Sequence, residues 1–220
     1  SRTGGFSKDP FDSLNVGDMV GDDLSNVMKN REKILKNTEG NKIIFLRQVH
    51  GKRCILATFD NADNLYEADG CYTSERNLVL AIATADCQAA VFYDPVTKMI
   101  GAAHAGWKGL MQNIYQEMVN IFIRHGAKSE NILVAIGPSL RMDHAEFKDY
   151  QSHILEKYWN YREGNFFDLP RIGKDQLLEA KLLEQNIEIS PYCTFCEEKK
   201  FFSYRRNQKT GRFATVIMKR

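Results

Sequence analysis

Three short stretches carry side chains able to hold a metal ion or move a proton: "RQVHG" (47–51), "TADCQA" (84–89) and "GAAHAGWKGL" (101–110). They supply His50, Cys87 and His104. Two imidazoles and one thiolate form a ligand set suited to Zn²⁺, with a fourth position left for water. An ion so held lowers the pKa of its bound water to about 7, giving hydroxide at neutral pH. The spacings, 37 residues and then 17, match no compact metal motif. Bland readings also exist: a free cysteine after an apolar strand is commonly a small core residue, and a histidine near glycines is commonly a capped or solvated loop residue. Coincidence favours the metal. All three residues fall at the ends of predicted elements, where loops set polar groups on a rigid scaffold. Small neighbours on both sides of His104 let an ion or substrate reach the ring.

The surrounding elements interleave strands and helices. Residues 41–49 and 52–59 read as strands broken at His50-Gly51. Residues 77–85 are a near-continuous apolar run, the pattern of a strand buried on both faces. Residues 89–105 read as a hairpin turning at Asp94-Pro95. From Trp107 to Phe122, apolar residues recur at three- and four-residue steps, predicting one amphipathic helix that stops at Gly126. A buried strand is expected over 131–138, helices over 143–159 and 173–185, and a final strand over 213–218. This pattern predicts the α/β (α+β) class: one domain over 1–220, a mixed sheet covered by helices in α/β/α layers.

Composition sets the bounds. With 220 residues, 43% hydrophobic and 26% charged, the chain can bury a sizeable core. A net charge of +2 gives no global field to draw nucleic acid or an anionic membrane. No apolar run approaches the ~20 residues of a membrane-spanning helix, and the opening "SRTGGFSKDP" lacks the pattern of a signal peptide. Five scattered cysteines, an odd number, suit reduced thiols in a cytoplasmic protein.

Eight basic residues and no acidic one lie between Lys199 and Arg220, with Phe201, Phe202 and Tyr204 among them. No basic stripe elsewhere supports nucleic acid as a partner. Guanidinium forks suit oxyanions, so Arg205 and Arg206 beside Ser203 are candidates to grip a phosphate or a ribosyl hydroxyl. Arg2, Asn15 and Arg47 join them as candidate substrate contacts. Asp86, next to Cys87, reads as a base or an orienting group; alternation turns it to the opposite face and favours the structural role. Asp69 reads as a turn former. "CTFC" (193–196) has Cys-x-x-Cys spacing but no second pair to complete a zinc ribbon; it reads as two core or loop thiols, with a redox pair as the alternative. Trp107 reads as core or as a lid over the metal pocket.

The chain resembles the laccase-domain, or multicopper-polyphenol-oxidase-like, proteins, regarded as purine nucleoside phosphorylases with adenosine deaminase activity. The motifs that carry the likeness run almost end to end: "RTGGFS" (2–7), "SLNVGDMVGDD" (13–23), "NR" (30–31), "RQVHG", "ADG" (68–70), "TADC" (84–87), "HAGWKG" (104–109), "IGPS" (136–139), "CT" (193–194), "FFSYRR" (201–206) and "TGR" (210–212). The resemblance implies that His50, Cys87 and His104 bind the catalytic metal, usually zinc, and that purine nucleosides and phosphate are the substrates. Two departures stand out. "CQAA" (87–90) lacks the proline usual after the cysteine, and "LRMDHAEFKDY" (140–150) replaces a Gly/Cys-containing stretch, which bears on one pocket wall. The family also contains an amidase-like factor that edits peptidoglycan precursors, so a Cys87–histidine dyad for acyl transfer is the alternative. A copper oxidase is a third reading, since His₂Cys suits copper, but a multicopper cluster needs more imidazoles than the five present.

Overall fold

A computed structural model describes residues 1–220. In chain order the elements are α1 (Leu24–Thr38), β1 (Lys42–Phe45), β2 (Cys54–Leu56), β3 (Gly70–Thr73), β4 (Leu78–Thr84), β5 (Gln88–Tyr93), β6 (Ile100–Ala105), α2 (Trp107–Met111), α3 (Ile114–Arg124) and β7 (Leu133–Ile136). There follow α4 (Tyr150–His153), the ribbon β8 (Arg162–Glu163) and β9 (Phe166–Phe167), α5 (Leu169–Glu179), β10 (Ile187–Ile189) and β11 (Phe213–Met218).

Two mixed sheets lie face to face. One has the order β1-β4-β11, the other β10-β7-β5-β6-β3-β2. Alternation along β4 explains its apolar run. Leu78, Leu80 and Ile82 meet Ala89, Ile100 and Ala102 of the larger sheet, while Val79 turns outward to Leu35 of α1 and Met218, around Gly40. On the far side of the larger sheet, Phe92, Ala103 and Val134 pack against Leu110, Ile114, Met118 and Phe122 of α2 and α3 and Leu177 of α5. The mixed α/β class holds, with the β layer doubled: helix, three strands, six strands, helices.

The Asp94-Pro95 hairpin forms as expected. Asp94 is fully buried, and its carboxylate accepts from the Thr97 amide at 2.8 Å and the Thr97 hydroxyl at 2.6 Å. The single helix expected after Trp107 is two. Asn113, with φ of 57°, breaks it and caps α3 by accepting from the Gln116 amide at 3.2 Å. The apolar stripe survives the break, and Gly126, with φ of +92°, ends it. The helix expected over 143–159 is mostly absent: α4 is four residues long and lies between 3₁₀ turns at Met142–His144 and Glu156–Tyr161. The helix expected over 173–185 begins earlier, where Asp168 caps α5 by accepting from the Arg171 amide.

Two buried amides bind the chain ends to the body. Asn30 Nδ2 donates to the carbonyl of Asn15 at 2.7 Å, and its Oδ1 accepts from the Phe6 amide at 2.8 Å. Asn15 in turn spans the termini, its Oδ1 accepting from the amides of Gly17 at 2.9 Å and Arg212 at 2.8 Å.

Because Phe122 is fully buried between α3 and the larger sheet, Phe122→Ala should lower unfolding free energy by about 3–5 kcal/mol, read from urea denaturation midpoints.

Candidate metal centre

Sheet register brings the trio together. His104 sits on β6 with the parity of Ile100 and Ala102, so it faces the layer between the sheets. Cys87 precedes Gln88, which pairs with Ala105, so the thiol lies beside the end of the His104 strand. His50 comes from the loop after β1 in the left-handed region, φ 60°. That loop is fixed to β4 by Gln48, whose amide accepts from and donates to the Ala83 backbone, each at 2.9 Å.

The donor atoms of His50, Cys87 and His104 all lie within 4.8 Å of one another. The two rings stand edge to face, 4.8 Å between centroids at 80°. The space among them depends on Gly106: a Cβ there would come within 2.8 Å of His50 Cδ2 and 3.1 Å of Cys87 Sγ. A methyl group at Gly106 would crowd His50 and Cys87, and two nitrogens and a sulfur this close together suit a tetrahedral cation with one open corner.

Asp69 organises the centre, a role its sequence context did not reveal. Its side chain is fully buried and reaches beyond its own turn. One oxygen accepts from the His50 amide at 2.9 Å and faces His104 Nδ1 at 2.8 Å; the other accepts from the amides of Val49 at 3.2 Å and Gly51 at 2.7 Å. The carboxylate thus stabilises the left-handed turn at His50 and accepts a hydrogen bond from His104 Nδ1–H, which turns Nε2 toward the other two donors. Burial pushes the Asp69 pKa up, but these hydrogen bonds outweigh it and hold the carboxyl below its usual range.

The other charges are coupled in the same way. Burial raises the Cys87 pKa, yet the His104 charge and hydrogen bonds from both imidazoles bring the thiol down to about 6. Burial disfavours a charged His104, but Cys87 and Asp69 overcome it and lift the ring to about 9. The pocket therefore favours an anionic sulfur with positive charge placed between the donors, a demand that a dication also meets.

The trio opens into a cavity of ≈ 880 Å³, within the range of small-molecule sites. Of the candidate substrate contacts, Arg47 and Arg205 line it. The other four do not. Arg2 is bound to Asp12 and to the carbonyl of Glu198, with its guanidinium 4.5 Å from the Phe202 ring. Asn15 and Ser203 are fully buried, and Ser203 Oγ accepts from the Arg206 amide at 3.2 Å. The Arg206 guanidinium donates to the carbonyls of Thr194, Phe195 and Phe201, each at 2.8 Å. The side chains of these four make their hydrogen bonds within the chain, outside the cavity lining.

Sequence reasoning missed Arg31 and Arg212, which both line the cavity. Each belongs to a quoted motif, "NR" and "TGR", and that was the available signal. Arg31 lies 4.3 Å from the Phe45 ring and donates to the Val16 carbonyl at 2.9 and 2.7 Å. Phe45, Trp107, Phe147 and Tyr204 add aromatic surface. Asp86, with φ of 96°, accepts from the Thr194 hydroxyl at 2.7 Å and the Arg205 amide at 2.6 Å, a positioning geometry. His125 and His153 take no part in the trio: their Nδ1 atoms lie near the carbonyls of Ile121 and Asp149.

The family model described as "Multi-copper polyphenol oxidoreductase laccase" matches residues 1–220. A relative named purine nucleoside phosphorylase YlmD, from Bacillus subtilis (strain 168), is 34% identical over 239 residues, covering 99% of this chain and 86% of the relative. The solved structure of a Bacillus licheniformis hypothetical protein YfiH superposes with a TM-score of 0.93 at 33% identity, covering 100% of this chain and 90% of that one. YlmD from Geobacillus stearothermophilus superposes at 0.91 with 32% identity, covering 100% and 89%. The chain belongs to the multi-copper polyphenol oxidoreductase laccase family, whose relatives include the YfiH and YlmD proteins.

Proposed function

We propose that this protein is a zinc-dependent purine nucleoside phosphorylase that also deaminates adenosine. The observation that carries the reading is the His50–Cys87–His104 donor set opening into a cavity walled by arginines and aromatic rings. The names of the relatives, purine nucleoside phosphorylases, support the same substrate class.

Zn²⁺ bound by His50, Cys87 and His104 supplies a Lewis acid able to polarise a substrate oxygen or a water. Asp69 keeps the proton on His104 Nδ1, so that Nε2 remains a lone-pair donor. Arg47, Arg205 and Arg212 bind phosphate through charge-assisted hydrogen bonds, and Phe45, Trp107, Phe147 and Tyr204 offer apolar faces to the purine. A phosphate oxygen attacks C1′ as the C1′–N9 bond breaks; the base leaves with the bonding pair, and ribose 1-phosphate remains. Deamination replaces the C6 amino group of adenosine with oxygen from water and releases ammonia.

A second reading uses the same atoms. Cys87 Sγ lies within 4.8 Å of a ring nitrogen of each imidazole, near enough for a base to serve a thiolate nucleophile, and an amidase could act through it. Stoichiometric metal in the purified protein and resistance of Cys87 to iodoacetamide favour the first reading; rapid alkylation with no bound metal favours the second.

Four outcomes are expected. Zinc-loaded protein with adenosine should yield adenine and ribose 1-phosphate only when phosphate is present, and inosine without it, identified by mass; His104→Ala should lower kcat/KM by at least about 100-fold. Chelation should remove both activity and zinc, and added Zn²⁺ should restore activity, whereas full turnover by metal-free protein would contradict the proposal. Asp69→Asn loses the negative charge and puts an NH₂ donor where one carboxylate oxygen accepts from backbone amides, and should weaken zinc binding by about 10- to 100-fold in a chelator competition.

A further inference from the structure

The sequence pattern left Cys193 and Cys196 as two thiols without a partner. The fold supplies one. A parallel bridge pairs Ser139 with Cys193, and the Thr194 amide donates to the Ser139 carbonyl at 3.1 Å. This pairing sets the Cys-x-x-Cys turn beside the 3₁₀ turn Met142–His144. There His144 Nε2 stands 3.1 Å from Cys196 Sγ, and its ring stacks on Phe195, 4.0 Å between centroids at 28°. The donor atoms of His144, Cys193 and Cys196 all lie within 4.8 Å of one another. None of the three lines the cavity or belongs to the first donor set.

We propose that His144, Cys193 and Cys196 form a second binding site for a thiophilic divalent cation, Zn²⁺ in the first instance. Two thiolates three residues apart with an imidazole from a separate segment supply three of the four ligands of a tetrahedral Zn²⁺ site and leave the fourth to water. Tetrahedral bonds of ~2.3 Å to sulfur and ~2.0 Å to nitrogen put neighbouring donors roughly 3.5–3.8 Å apart, so a small closing motion of the three side chains completes the geometry. Cys193 is buried and Cys196 exposed: one thiolate is shielded, and the other lets an ion enter without opening the fold. Asp143 and Glu197 add negative charge near Cys196.

The site's position gives it a structural role. It joins the segment carrying Leu140 and Phe147 to the segment carrying Tyr204 and Arg205, and all four line the cavity. Arg205 Nη1 already bridges these segments by donating to the Glu146 carbonyl at 3.0 Å. An ion at the second site braces that wall from outside.

The test compares wild type, Cys87→Ser, Cys196→Ser and the double variant, each loaded with Zn²⁺ in reducing buffer, desalted, and measured for bound zinc and melting temperature. The expected contents are two, one, one and zero equivalents, and Zn²⁺ should raise the melting temperature of Cys87→Ser but not of the double variant. His144→Gln should repeat the Cys196→Ser loss through the nitrogen donor. Equal zinc with and without Cys196 in both backgrounds overturns the proposal, as does a Cys193–Cys196 disulfide that persists in reducing buffer. Zinc that depends on Cys196 but not on Cys87 upholds this site while refuting the first centre.

Discussion

A buried carboxylate that accepts every hydrogen it can reach sets the rest of this structure. Isolated in the interior, the Asp69 charge would be costly; surrounded by three successive backbone amides and one imidazole, it becomes an anchor. Those contacts link the loop after β1 to the junction of β3 and β6 and reinforce the backbone bridge between Arg47 and Glu67. The consequence for chemistry is direct, because one side chain fixes both the backbone of the first histidine and the tautomer of the second.

The doubled β layer explains where the centre lies. The facing sheets fill the space between them with Ile44, Leu80, Ile82 and Ile100, and toward one end the large apolar groups give way to alanine and glycine. His104 shares the face of Ile100 and Ala102 but lies beyond them, where apolar packing gives way to polar groups. Small neighbours leave that end open, and arginines from distant segments close round it.

Much of this was legible in the chain. The run at 77–85, the Asp94-Pro95 hairpin and the final strand carry their own periodicity, and β4, β5, β6 and β11 follow it. The trio was legible as an element-end coincidence and through family likeness. Less legible were parts whose meaning comes from long-range pairing. Asp69 sits in a turn-like "ADG" and acquires its role only when residues 49–51 and 104 close round it. The segment 143–159 has helical spacing, but its elements are too short to sustain a helix and bend around Phe167 and Tyr158 instead. Polar α1, which buries only Val27 and Asn30, has too weak an apolar face to announce itself. Arg2, Asn15, Ser203 and Arg206 look like ligand contacts by type, and only the fold shows that the chain itself satisfies them.

The pairing of β11 with β4 also bears on how the protein is made. His50, Asp69, Cys87 and His104 emerge from the ribosome before Arg212 and the strand behind it. For much of translation a thiol and two imidazoles are present without the wall that later screens them. Ion capture can therefore precede closure, and the order of synthesis exposes this sulfur to competing soft metals and oxidants earlier than the finished fold would suggest.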